Sequence, residues 1–227
     1  MLRYKQMTSA ILQIIAIICM VIDHVGLYFF DGPDWMRAIG RVAMPLFAMG
    51  IVEGFLHTKS RPKYLLRLTI CAIVADIPHI LLNNMYGYPF THVVLFGFIL
   101  GFLAMLCLEK KGYWWILTPF LVIAGSGLSI DYGFPVVLLI ILFYWCRKKL
   151  KKEKIYYYSA LLASLAITMG IRAAIANWPL QLWAIAAFIP LALYNGKKGH
   201  RLPKYAGYVF FPAHLLIIWL IKYLFLN

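Results

Sequence analysis

Asp23 and His24 stand side by side inside an apolar run that extends from about residue 9 to residue 29. An ionisable side chain in such a run is costly to place in hydrocarbon and is a functional candidate by default. The later apolar runs hold Arg41 and Glu53, then Arg67, Asp76 and His79, then His92, Arg172 and His214, with Asp131 in a short loop. Neighbours on a helix point about 100° apart, so Asp23 and His24 do not form a dyad with each other. Asp23 is expected to pair with Arg41 of the next run. That leaves His24 facing a polar cavity, where a neutral imidazole acts as a general base near neutral pH.

The other groups have simpler expected partners. Arg172 is expected to meet Asp76 or Asp131. His79 follows Asp76 by three residues on the same helix face and is expected to be its local partner. Glu53 is expected to pair with Arg67 near the inner end of its helix, where Arg67 also snorkels. These pairs also have a purely structural reading, as ion pairs that hold helices together. No metal is expected, because Asp76 and His79 alone fall short of the three or four ligands of a zinc site. No GxSxG, Walker A or GxGxxG pattern is present, and Gly125-Ser126-Gly127 is too short for a phosphate loop.

The elements that must position these groups follow from composition. The chain has 227 residues, 63% hydrophobic and 13% charged, with a mean hydropathy of +0.81. Soluble domains carry roughly 45–50% apolar and about 25% charged residues, so a soluble globule, a disordered chain and a disulfide scaffold are excluded. The reading is an all-α polytopic membrane bundle forming a single domain over 1–227. Apolar runs near the spanning length of about 20 residues fall at 9–29, 39–57, 63–83, 91–108, 113–129, 133–146, 155–173, 178–194 and 205–226. That makes about nine transmembrane helices.

Charge orients them. The net charge of +14 is not a nucleic-acid signal, because most of the 22 Lys and Arg lie in alternate loops. They occur at Arg3 and Lys5, at Lys59, Arg61 and Lys63, at Lys110 and Lys111, along 147–154, and from Lys197 to Lys204. The positive-inside rule then places the N-terminus in the cytoplasm. Cys19, Cys71, Cys107 and Cys146 read as small apolar packers. At about 1.5 Å per residue, Asp23 and His24 lie roughly 21–23 Å from the cytoplasmic end of their helix. Asp23, His24, Arg41, Asp76, His79, Asp131 and Arg172 then share one layer in the outer half of the membrane.

Several segments together carry a family likeness. They are Ile22-Asp23-His24, the stretch Gly40-Arg41-Val42-Ala43-Met44-Pro45-Leu46-Phe47-Ala48, and Glu53-Gly54-Phe55 with His57-Thr58. Lys63-Tyr64-Leu65-Leu66-Arg67-Leu68, Asp131-Tyr132-Gly133 and Phe211-Pro212-Ala213-His214-Leu215 complete the set. The pattern resembles the TraX family of bacterial membrane proteins over nearly the whole chain. The family is named for a conjugative-plasmid protein required for N-terminal acetylation of pilin. It is grouped with transmembrane acyltransferases that draw on cytosolic acyl-CoA and usually depend on a histidine in an early membrane helix. Thr91-His92-Val93 departs from the family pattern, which has an Asn near this point, and His92 is given no role.

The resemblance implies an acetyltransferase of the bacterial cytoplasmic membrane with acetyl-CoA as donor. Its expected catalytic residues are His24, Asp23, Arg41 and His214, with Arg41 or His214 on the tetrahedral oxyanion. Glu53, Asp76, His79, Asp131, Tyr132 and Arg172 are expected to bind the acceptor. Lys59, Arg61, Lys63 and Arg67 are expected to attract the phosphates of CoA. His24 acts either as general base for direct transfer or as a transiently acetylated nucleophile. The acceptor is a peptide, glycan or small molecule. Two other readings compete: a proton-coupled small-molecule transporter, and a non-enzymatic partner in membrane assembly.

Overall fold

The computed structural model describes residues 7–199 and 206–225. Arg3, Lys5, Arg201 and Lys204, which enter the loop-charge argument, lie outside the described residues. Among the described residues the structure is helical, with two isolated β-bridges and no strand. In chain order the helices are α1 (Ser9–Phe29), α2 (Asp34–Arg41), α3 (Ala43–His57), α4 (Arg61–Met85) and α5 (Leu95–Glu109). They continue with α6 (Leu117–Gly127), α7 (Phe134–Trp145), α8 (Lys154–Ala176), α9 (Phe188–Ala192) and α10 (Ala206–Phe225). Short irregular helices precede α6 (Tyr113–Ile116), follow α7 (Cys146–Leu150) and precede α9 (Pro179–Ala187).

Five stretches are long and apolar enough to cross a membrane: α1, α2 with α3, α4, α8 and α10. Their apolar side chains point outward at helical spacing. Ile11, Ile14 and Ile18 on α1, Ile70, Ile73 and Ile77 on α4, and Ile217, Leu220 and Leu224 on α10 are all exposed. Continuous apolar stripes of this kind are rare on soluble monomers and suit a lipid environment.

The structure departs from the apolar runs in three places. The second run is two helices, α2 and α3, that meet at Val42. Pro45 explains the break, since it has no N–H to give the Arg41 carbonyl four residues earlier. The fourth run starts its helix at Leu95, because residues 91–93 are held in a bridge to another loop. The eighth run is mostly a 3₁₀ segment that begins at Pro179.

The chain divides into two compact units. The first comprises Met1–Gly50 and Trp145–Lys204. Its start is stitched to the segment after α9, where the Met7 and Ser9 amides donate to the Leu193 and Lys197 carbonyls at 2.9 Å each. The Thr8 hydroxyl caps α1 by accepting from the Ile11 amide. The second unit comprises Ile51–Tyr144 and Tyr205–Asn227. Phe55 packs edge-on against Phe102 and Tyr144, with ring centroids 5.0 and 5.8 Å apart. At the same level Glu109 accepts from the Tyr144 hydroxyl and pairs with Arg61.

α4 and α10 run parallel. The Cys71 thiol donates to the Tyr208 carbonyl near one end, and Lys222 lies over the Tyr86 ring at the other.

Gly97 and Gly101, four apart on α5, admit the β-branched side chains of α7. A Cβ at Gly97 would lie 2.5 Å from Val136, and one at Gly101 would lie 2.6 Å from Ile140. This is the small-residue spacing by which membrane helices approach closely. Gly101→Ala is therefore expected to destabilise the protein by about 1–3 kcal/mol through overpacking. Gly50→Ala, with nothing within 4 Å of its added carbon, is expected to be neutral or to gain up to about 1 kcal/mol of helix propensity. Thermal unfolding of both variants in detergent checks the contrast.

Candidate active site

The polar groups gather into two clusters, one within each unit. In the first, α1 and α2 converge on Asp23. Both terminal oxygens of Asp23 lie 2.7 Å from the Arg41 Nη2, which donates to them. Arg37 reaches the same carboxylate at 3.0 Å and donates to the Asp23 backbone carbonyl. The three side chains are 6–12% exposed. The Trp178 ring lies 5.5 Å from the Arg37 guanidinium and 5.2 Å from that of Arg41. Cations over an aromatic face gain electrostatically when water is excluded.

Local backbone makes this possible. Arg37 and Arg41 are four apart on α2 and so share one face. Gly40 lies against the carboxylate, since a Cβ there would overlap the Asp23 carboxyl group. The expected Asp23–Arg41 pair is therefore present. Arg37 and Trp178 were not foreseen, although the four-residue spacing of the two arginines signals the first of them.

His24 is half-buried one residue along α1, with its ring 6.2 Å from that of Tyr28. Arg172 lies near the C-terminal end of α8 in the same unit. It is followed by Asn177 in the left-handed conformation that closes the helix.

The second cluster belongs to the other unit and joins α4 to two loops. Asp76 is buried on α4. One of its oxygens lies 2.7 Å from His92 Nδ1, and the other accepts from the Val93 amide at 2.9 Å. His79 is not the partner of Asp76. Its Nε2 lies 3.2 Å from the Asn83 amide nitrogen and 3.3 Å from the Thr91 hydroxyl. The reason is reach: the loop after α4 returns residues 91–93 across the helix and satisfies both Asp76 oxygens from there.

That loop is pinned in turn. The His92 amide donates to the Ser129 carbonyl, and the Asp131 amide donates to the His92 carbonyl, both at 2.8 Å. The Asp131 side chain accepts from the Tyr132 amide at 2.8 Å. Ser129, Tyr132 and Gly133 have φ of +50°, +65° and +59°. For a tyrosine this is strained backbone, of the kind that clusters at functional sites. His92 keeps about a third of its side chain exposed and lies edge-on between Phe90 and Phe96. A carboxylate on Nδ1 fixes the imidazole and leaves Nε2 for proton transfer, the arrangement of an oriented base.

The remaining expected residues lie elsewhere in the second unit. Glu53 pairs with His57 at 3.5 Å, one turn along α3, and not with Arg67. Arg67 instead lies between the rings of Tyr64 and Tyr208, 5.9 Å from each. Lys59 and Lys63 are exposed. His214 is buried on α10, where Nδ1–H donates to the Phe210 carbonyl at 3.0 Å.

No solved structure matches the chain. It is 28% identical to a probable fimbrial assembly protein FimC, serogroup H1, of Dichelobacter nodosus, over 91% of this chain and 92% of that protein. It is 29% identical to the Escherichia coli protein TraX over 56% of this chain and 52% of that one. A short stretch, 16% of the chain, is 51% identical to part of an uncharacterized Rickettsia prowazekii protein, RP591, covering 15% of it. The family profile described as TraX protein matches residues 8–222, from the cap of α1 to the last turns of α10, and the chain belongs to the TraX family.

Proposed function

We propose that this chain is an acetyltransferase of the bacterial cytoplasmic membrane. It moves an acetyl group from cytosolic acetyl-CoA to an amine or hydroxyl at the membrane or its outer side. The observation that carries the reading is family membership together with the position of His24, a half-buried imidazole on a membrane-length helix beside a carboxylate clamped by two arginines. The family takes its name from a protein required for pilin acetylation, and one relative is named for fimbrial assembly. Both favour a pilus or fimbrial subunit as acceptor.

In this reading the acceptor's lone pair attacks the thioester carbonyl while a ring nitrogen of His24 takes the proton. The tetrahedral intermediate collapses, the carbon–sulfur bond breaks, and CoA leaves as a thiolate that recovers the proton from the imidazolium. Asp23 and Arg41 set the local field and hold α1 in register with α2. Lys59 and Lys63, exposed beside the start of α4, attract the phosphates of CoA through solvent. The test is acetyl-CoA binding and CoA release by purified protein in detergent. Saturable binding with slow CoA release is the expected result. A folded sample that binds no acetyl-CoA would overturn the reading in favour of a transporter or an assembly partner.

One observation supports a second assignment of the base within the same reaction. The Asp76–His92 pair has a carboxylate-oriented imidazole with an accessible edge, so His92 is the alternative general base.

A further inference from the structure

An apolar groove of about 690 Å³ lies between α4 and α10. Arg67 stands at one end, Cys71, Val74 and Pro78 form one wall, and Pro212 and Leu216 form the other. Both prolines sit inside their helices, where each removes one backbone hydrogen bond. From Arg67 to Ile77 the groove follows ten residues of α4, about 15 Å at 1.5 Å per residue. One leaflet of a roughly 30 Å hydrocarbon core has that depth.

Arg67 puts a positive charge at one end of the groove. Its guanidinium is flanked by the rings of Tyr64 and Tyr208. Its Nε is buried without a hydrogen-bond partner. Among the described residues no carboxylate forms an ion pair with it, and Glu53 and Glu109, the acidic side chains expected or found near this end, are engaged by His57 and by Arg61. Lys59 and Lys63 add exposed positive charge at the same end of α4. A half-buried cation at the head of an apolar slot one leaflet long is complementary to an amphiphile with an anionic head and a single-leaflet tail. Basic pockets between membrane helices hold lipid headgroups in this way.

We propose that the α4–α10 groove is a binding site for an anionic phospholipid, with the phosphate on Arg67 and one acyl chain along the groove towards Pro78 and Leu216. Tyr64 and Tyr208 hold the guanidinium at headgroup level. Gly54 gives Tyr64 the room to do so, since a Cβ there would lie 2.6 Å from the Tyr64 hydroxyl.

The test is native mass spectrometry of the purified full chain in mild detergent, titrated with phosphatidylglycerol or phosphatidylcholine of identical chains. The expected result is one tightly retained phosphatidylglycerol per chain and at least tenfold weaker retention of phosphatidylcholine. Arg67→Gln should remove the preference, and Arg67→Lys should keep most of it. Val74→Trp, at an exposed groove position, should block retention with Arg67 intact and the fold undisturbed. Equal retention of the two lipids, or retention unchanged in both Arg67→Gln and Val74→Trp, would overturn the site. The readout does not involve acetyl transfer, so this proposal and the enzymatic reading fail separately.

Discussion

Replacing Asp23 with alanine is expected to cost about 3–5 kcal/mol of stability, the penalty for leaving a buried charge without its partner. Asp23 answers two cations at once, Arg37 and Arg41, and none of the three side chains is more than 12% exposed. An exposed ion pair would contribute only about 0–1 kcal/mol, because water replaces the lost partner. Here the Trp178 ring lies over both guanidinium groups, and the low exposure leaves little room for water to replace the carboxylate. Asp23→Asn keeps the shape and loses the charge, and it should recover little. Gly40→Ala is the sharper variant because it changes no charge. Its added carbon would overlap the Asp23 carboxyl group, whereas the same change in an open helix would gain about 1 kcal/mol. It is expected to destabilise instead. Thermal and SDS-induced unfolding of the three variants measures this, and an unchanged midpoint for Asp23→Ala would show that the clamp does not hold α1 to α2.

This clamp was largely legible in the sequence, and the reason is energetic. A carboxylate and a guanidinium in successive apolar runs have few ways to avoid hydrocarbon other than to meet. The limits of α1 and α10 were legible on similar grounds, because length and apolarity alone define a membrane-length helix. The break at Val42 was hidden, since the apolar run continues through it and only Pro45 marks the lost hydrogen bond. The 3₁₀ segment at Pro179–Ala187 was hidden because hydropathy does not distinguish i+3 from i+4 bonding. The second cluster was misread for a different reason. Helical spacing assigned His79 to Asp76, but the true partner arrives from a loop whose path depends on Gly87 at φ +63° and on the bridge from His92 to Ile130. No periodicity encodes that return. The family pattern also led away from His92, because Thr91-His92-Val93 departs from the Asn expected near this point.

Substitution of the two candidate bases is expected to separate them by orders of magnitude. If His24 takes the acceptor's proton, His24→Gln should lower acetyl transfer about 10²–10⁴-fold, the usual worth of a positioned acid–base group. α1 should remain intact, because Gln is a good helix former and His24 is only half-buried. His92→Gln should then keep most of the activity. The choice of Gln matters at this position. Asp76 is buried and holds both His92 and the Val93 amide, so His92→Ala would leave one carboxylate oxygen unsatisfied and confound folding with chemistry. A Gln amide still has an N–H to donate to Asp76 but has no group that gains or loses a proton near neutral pH. Single-turnover release of CoA in the presence of an acceptor peptide, measured alongside unfolding midpoints, reads both effects. The reverse pattern, with His92→Gln inactive and His24→Gln active, would move the base to the Asp76 dyad. It would also make the departure at Thr91-His92-Val93 the feature that distinguishes this chain's chemistry. Full activity in both variants would remove acid–base catalysis by either histidine.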